Sequence, residues 1–495
     1  MAVHAAFLFI LSWIYFDLPH REILDSMLSL VVANPQTATE IVEINAPDAA
    51  EPTDEPGEIA GWNGAIELPG EAADLASVTF DSDSFQVSDR GRLDKVVAPS
   101  PEATAATPPK SGKSAARKGS NTATEAPHTD HFAGRGGKTK ADLLKRMGGT
   151  AASEAAVARG LVWLKNHQLP DGGWNFNHLH SPECNCTMPG RMENNPNAAT
   201  AMALLAFLGA GQTHESADYQ AEVRRGLDFL LACGVPADRG VCFYGNLSGP
   251  PTFYTHGLAT IALSEAFAMT GDARLRPAIS GAIEFLVATQ EAGGGWRYFP
   301  GQPGDTSVVA WQLMALKSAQ FSRITVPPRV FTGIDRFMAS VSSRRGALYA
   351  YIPDRREDPT PSMTAAGLLC RMYLDWSDSQ GRLSAGIRFL DEQGPAADDM
   401  YYNYYATQVL HHWGGPEWER WNKKMREHLI TTQIREGHAA GSWDVADRHG
   451  QAGGRLYMTT LALLTLEVYY RHLPLYQKDR IEVPLINQAA DVKKR

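Results

Sequence analysis

The feature that most restricts this chain is an internal repeat running through residues 151–477. An amphipathic segment with a Gly near its start and an aromatic–Leu pair occurs as "GLVWL" at Gly160, "GLDFL" at Gly226 and "GAIEFL" at Gly281. It returns as "GIDRFM" at Gly333, "GIRFL" at Gly386 and, eroded, as "MREHLITTQ" at Met425. A turn follows each copy and tends to end on an aromatic residue: Trp174, Phe243, Trp296, Tyr349, Tyr401 and Trp443. Next comes a segment of small and apolar residues, such as "NAATAMALLAFLGAG", "DTSVVAWQLMALKSAQ" and "YMTTLALLTLEVYY". The first kind carries charge on one face, as a surface helix does, and the second is apolar nearly all round, as a helix buried on every side is. Such units cannot bury their apolar faces alone, so pairs of one outer and one inner helix must stack. Six pairs predict an all-α fold that either extends as a superhelix or closes into a ring. Closure is favoured, because neither terminal pair has a polar outer face to serve as a cap.

The rest of the chain reads differently. Of 495 residues, 44% are hydrophobic and 20% charged, enough for a large core. The net charge of −9 argues against nucleic acid as a partner. In residues 1–33, the apolar run from Ala5 to Phe16 is shorter than the roughly 20 residues of a spanning helix, with no basic residue ahead of it. It is read as a membrane anchor or signal, a buried N-terminal helix being the alternative. The toroid is then expected outside the cytoplasm, in the periplasm. Residues 34–150 are rich in Ala, Pro, Ser and Thr without lasting periodicity and predict a disordered linker. Residues 478–495 form a charged tail.

The pattern Arg-Gly-x-x-aromatic-Leu-x-x-x-Gln-x-x-x-Gly-x-Trp is met by Arg159, Gly160, Trp163, Leu164, Gln168, Gly172 and Trp174. Gly281, Phe285, Leu286, Gln290, Gly294 and Trp296 follow it apart from the leading basic residue, read as Ser280. This resembles the repeat signature of the squalene cyclase and prenyltransferase superfamily. The resemblance implies an (α/α)6 toroid, six inner helices within six outer ones. With its tether, the chain also looks like repeat proteins abundant in planctomycete bacteria, a likeness that brings no activity with it. The residues have a physical reading of their own. Gln168 can bond backbone groups left free at helix ends, Gly172 and Gly173 permit a tight turn, and Trp174 can pack on the next repeat. On that reading the signature is a structural clasp.

In such a toroid the loops before the inner helices meet at one mouth. Squalene cyclases carry Asp-x-Asp-Asp-Thr there, and its middle Asp protonates an alkene. Here "GQPGDTSVVAW" matches only Asp305 and Thr306, with Gly304 in place of the protonating Asp. A single Asp at a helix start is more often an N-cap, and Asp305 is read first in that way. Asp305, His256 and Tyr402 are the candidate catalytic residues. Thr306, Trp311, Tyr254, Asn403, Tyr405, Arg455, Tyr457 and Asp444 are the candidate cavity and ligand-binding residues. Such a rim could hold the polar end of an apolar ligand, or a sugar. The tyrosines could equally pack between inner helices with satisfied hydroxyls.

Protein prenyltransferases hold zinc with an Asp-x-Cys pair, which does not occur here, and the Gly-Cys-Gly-Glu-Gln stretch of thioester toroids is also absent. In "FNHLHSPECNCTMPGRMENN", His178, His180, Cys184 and Cys186 lie close enough to suggest a zinc site. A disulfide involving Cys233 or Cys242 is the rival, and plain thiols the third choice. Zinc is thus the one cofactor suggested. Two function classes follow: a toroid that binds or transforms an apolar, isoprenoid-type small molecule, or a non-catalytic extracytoplasmic module for a glycan or protein. A polysaccharide lyase or hydrolase is the outside alternative.

Overall fold

The computed structural model describes residues 132–245, 247, 251–375, 381–447 and 450–471. The expected anchor, most of the linker and the charged tail lie outside these residues. Among the described residues no helix is long and apolar enough to cross a membrane.

A first helix, α1 (Gly137–Arg146), precedes the repeats. The outer helices are α2 (Ala151–Asn166), α4 (Gln220–Ala232), α6 (Leu275–Thr289), α8 (Pro328–Ser340), α10 (Arg382–Gln393) and α12 (Gly415–Thr432). The inner helices are α3 (Pro196–Gly209), α5 (Pro251–Thr270), α7 (Thr306–Phe321), α9 (Pro361–Tyr373), α11 (Met400–Trp413) and α13 (Gly454–Leu466), and the short α14 (Val468–Arg471) follows. Each inner helix packs on the next, and α13 packs back on α3. The outer α12 likewise meets α2, so the hairpins close into an all-α (α/α)6 toroid. Two-residue antiparallel strand pairs, Val235–Pro236 with Val241–Cys242 and Ser342–Ser343 with Leu348–Tyr349, replace the Gln-Gly-Trp turn in repeats two and four.

That turn has one geometry in repeats one, three and six. Gln168 donates to the carbonyls of Gly172 (2.8 Å) and Glu222 (2.9 Å), Gln290 to Gly294 (2.9 Å) and Val330 (3.0 Å), and Gln433 to Gly441 (2.9 Å) and Ala156 (2.8 Å). The Trp174, Trp296 and Trp443 indoles donate to Leu164, Leu286 and Leu429. Each Gln therefore ties the end of one outer helix to the next outer helix, and Gln433 ties the last repeat to the first. Gly172, Gly294 and Gly441 take φ of 93°, 98° and 96°, and a Cβ there would lie within 2.6 Å of a neighbouring carbonyl oxygen.

These contacts correct the repeat register. Gly441 abuts the Arg159 carbonyl and Gly172 that of Arg225, while Gly240 abuts that of Gly281. Gly281, not Ser280, therefore occupies the Arg place in the third copy. Arg159 and Arg225 bond the Oε1 atoms of Gln433 and Gln168. Repeat two carries Gly234 where repeat one has Gln168, so an Arg at position 281 would find no such partner.

Residues 132–150, included in the linker by composition, instead pack on the ring. Arg135, Leu143 and Met147 are buried. The Arg135 guanidinium bonds the carbonyls of Arg471 (3.1 Å) and Leu208 (3.3 Å) and the Glu265 carboxylate (2.8 Å). Arg471 reaches Glu265 at 3.4 Å from the other side. Burial by itself would raise the pKa of Glu265, but the two guanidiniums lower it on balance and keep the carboxylate charged. The ends of the inner helices are thereby plugged. Sequence polarity hid this segment because its anchoring residue is an arginine, which polar composition assigns to solvent.

The clasp geometry predicts unequal costs for two glycines of one turn. Gly441→Ala should cost about 3 kcal/mol, through its left-handed backbone and a backbone clash. Gly437→Ala, at φ 71° with nothing within 4 Å of the added carbon, should cost about 1 kcal/mol. Urea unfolding of both variants checks this; equal midpoints would remove the clasp from the account.

Candidate functional site

The loops preceding α7 and α9 bring a group of polar side chains together at the end where the inner helices begin. Asp305 caps α7: its Oδ1 accepts from the Val308 N–H at 2.9 Å and from the Ser307 hydroxyl at 2.6 Å. Because that Ser307 proton is committed, the Tyr254 hydroxyl donates to Ser307 Oγ, 2.5 Å away. Asp305 Oδ2 has no well-formed hydrogen bond; it faces Arg297 Nε at 3.8 Å and the Tyr351 hydroxyl. The Arg297 guanidinium lies over the rings of Tyr298 (5.1 Å) and Tyr351 (5.4 Å), whose hydroxyls touch. Asp305 and Tyr254 are fully buried, whereas the Arg297 side chain is 25% exposed. Burial is the main influence on Asp305 and raises its pKa to about 6, against the opposing bonds from Ser307 and Val308. Burial likewise holds the Tyr254, Tyr298 and Tyr351 phenols above their ordinary range, so all three stay protonated.

The other candidates disperse. His256 turns outward: its Nδ1 accepts from the Phe243 N–H at 3.3 Å, and its Nε2 lies 3.2 Å from the Ala282 carbonyl. Burial drops its pKa to about 3, so it is a neutral pin between α5 and α6. Tyr402 faces the outer helix, its ring edge-on to Trp421. Thr306 bonds the Ala350 carbonyl at 2.6 Å, and Asn403 bonds both backbone groups of Ala396. Arg455 holds the loop of repeat one through the Thr187 carbonyl and hydroxyl, and it pairs with Asp444 at 2.6 Å. Arg455 and Asp444 therefore sit at the seam between the first and last repeats. Tyr457 is buried beside Gly453.

Trp311 and Tyr405 do face the lumen, but as filling. Trp311 of α7 stacks on Tyr404 of α11 with centroids 5.6 Å apart, and Tyr405 meets Trp311 edge-on at 5.8 Å. These two helices are separated in the ring by α9, so the contact crosses the lumen. On every side of α3 and α7 the side chains from Asn197 to Gly209 and from Thr306 to Leu316 are buried. Side chains occupy the centre where a chamber was expected.

The sequence-predicted metal set is only half assembled. Cys184 and Cys186 converge with His167 and His438, and one ligand atom from each of the four lies within 4.8 Å of the others. Cys186 Sγ is 3.5 Å from His167 Nε2 and 3.1 Å from His438 Nδ1. His180 lies apart, exposed and 3.4 Å from Glu193. The His178 ring is buried against Trp163 and His167, and it is not one of the converging four. All five cysteines are free, so Cys184 and Cys186 are not bridged to Cys233 or Cys242.

Sequence reasoning missed Arg297, Tyr298, Ser307, Tyr351, His167 and His438. Their signal was position: Arg297 and Tyr298 follow the clasp Trp296, His167 precedes the clasp Gln168, and His438 lies between Gln433 and Gly441.

No protein-family model and no curated protein matches the chain. Among solved structures, an α-1,6-mannanase from Salegentibacter superposes with a TM-score of 0.46 at 9% identity, over 64% of this chain and 99% of its own. A type II terpene cyclase from Scytonema gives 0.43 at 10% identity, over 65% and 97%. A D-mannose isomerase gives 0.45 at 13%, over 65% and 99%. The fold assignment stands on the closed helix ring itself.

The folded state holds a proton on Asp305 that the unfolded chain releases, between pH values of about 3.8 and about 6. Stability contributed by this group therefore falls as pH rises through that window and stays lower above it. Asp305→Asn keeps a capping side chain and removes the titration. Between pH 4 and pH 7 the wild type should lose about 2–3 kcal/mol relative to the variant. Urea midpoints of the two proteins across that range measure the difference, and parallel curves would show that no buried carboxyl titrates there.

Proposed function

We propose that the toroid is a non-catalytic recognition module for a hydroxylated ligand of the glycan class, held at the mouth where Arg297, Tyr298 and Tyr351 lie over Asp305. The observation that carries this reading is the cross-lumen stack of Trp311 on Tyr404, because an isoprenoid chain would need the volume those rings fill. Two further points support it. Protonating an alkene calls for an acid strengthened by a hydrogen-bonded partner, and glycoside hydrolysis calls for two carboxyl groups. The side chains in contact with Asp305 include Ser307 and Arg297, a hydroxyl and a cation. Arg297, Tyr298 and the exposed Phe299 instead offer a cation and aromatic faces at the surface, suited to hydroxyl groups and sugar rings. Attachment to a membrane through residues 1–33, with the toroid outside the cytoplasm, is part of the same proposal and rests on the sequence alone.

Calorimetric titration of the full chain with a panel of neutral and acidic oligosaccharides tests it. At least one class should bind, and Arg297→Ala or Tyr298→Ala should weaken it at least about tenfold, a loss of about 1.4 kcal/mol. Conversion of a squalene-type or polyprenyl substrate by the wild type, abolished in Asp305→Asn, would overturn the reading in favour of a cyclase.

A further inference from the structure

The seam of the ring carries a cluster that the recognition mouth does not use. His167 is the C-terminal cap of α2, Cys184 and Cys186 lie in the loop of repeat one, and His438 lies in the turn of repeat six. We propose that Cys184, Cys186, His167 and His438 form a tetrahedral zinc site that cross-links the last repeat to the first.

The geometry and chemistry of the donors agree with this. Zinc bonded to two sulfurs and two nitrogens holds its ligand atoms about 3.4–3.8 Å apart. The observed pairs at 3.1 and 3.5 Å, with all four atoms within 4.8 Å, need only small adjustments. The His167 ring is already oriented: its Nδ1 lies 2.7 Å from the Trp163 carbonyl, which makes that nitrogen the donor and leaves the Nε2 lone pair facing the cysteines. A ligand histidine whose second nitrogen is fixed by a carbonyl is the usual outer support of a zinc site. The ring also stacks on Trp163 with centroids 4.0 Å apart, so it cannot swing away freely. Two thiolates and two imidazoles select zinc over the oxygen-seeking magnesium and calcium. Four protein ligands leave no open position, which marks a structural site, not a catalytic one.

Topology gives the site its purpose. Neighbouring repeats are joined by the chain, but repeats six and one meet only through contacts. The quartet stands among those contacts: the Met192 N–H bonds the Ala452 carbonyl at 3.0 Å, the Arg455 N–H bonds the Met188 carbonyl at 3.0 Å, and Gln433 clasps Ala156. A metal joining Cys186 to His438 closes a loop spanning nearly the whole toroid, and long loops give a cross-link its greatest entropic effect on the unfolded chain.

The test uses the full chain purified under reductant. Elemental analysis should find one zinc per chain, and exchange into cobalt should give the intense visible bands of tetrahedral coordination with thiolate charge transfer. Cys184→Ser, Cys186→Ser, His167→Ala and His438→Ala should each lose the metal and lower the unfolding temperature by at least about 5 °C. His180→Ala should keep both. His438→Ala separates metal loss from misfolding, because this exposed side chain can be removed without opening the core. Wild-type protein holding less than one zinc in ten chains with its thiols reduced would overturn the proposal. So would a Cys184–Cys186 disulfide in the isolated protein, or full zinc retention in His438→Ala.

Discussion

Everything in this toroid depends on the last hairpin finding the first. An inner helix that is apolar all round is stable only with neighbours on both sides, and a ring supplies both without capping repeats. The requirement falls on one seam, where no covalent connection helps. Polar contacts concentrate there accordingly. Gln433 reaches Ala156, Arg159 reaches Gln433, Arg455 reaches Thr187, and Gly190 lies against Gly454 so closely that neither backbone tolerates a side chain. The clasp that elsewhere joins consecutive hairpins serves at the seam to join the two ends of the domain.

Closure also sets what the centre can contain. With six inner helices the lumen is narrow enough for Trp311 to stack on Tyr404 across it. Below that stack, Glu265, Arg135 and Arg471 are buried together, and a buried charge is tolerable only when paired and hydrogen-bonded. The pairing requires residues from both sides of the repeat region, since Arg135 precedes the first repeat and Arg471 follows the last inner helix. The segment ahead of the repeats is thus part of the fold. At the opposite end Arg297 and Tyr298 reach solvent.

Much of the architecture was legible in the residues. Helix periodicity separated outer from inner helices, and the Gln, Gly and Trp spacing announced the clasp. The site was legible in part. Asp305 and Tyr254, which share Ser307 in the candidate cluster, were visible because a carboxyl and a phenol at helix starts stand out locally. Their partners Arg297 and Tyr351 come from two different loops, and no spacing along the chain relates them. His256 and Tyr402 looked equivalent to these by position. A rotation of about a third of a turn along an inner helix decides whether a side chain meets the lumen or the outer layer. The zinc quartet shows the same limit: the two cysteines were visible as a pair, whereas His438 lies 252 positions from Cys186.

By itself, then, the sequence determined what repeats: an all-α stack of outer and inner helices, held by a recurring hydrogen-bonded turn. Those properties follow from periodicity and backbone chemistry within a few dozen residues. Closure was already favoured by the missing polar caps, and the packing of α13 on α3 bears it out; only the tertiary structure decided that the centre is filled and which histidines stand beside Cys184 and Cys186. These depend on side chains from opposite ends of the domain competing for the same space, and local spacing carries no record of that competition.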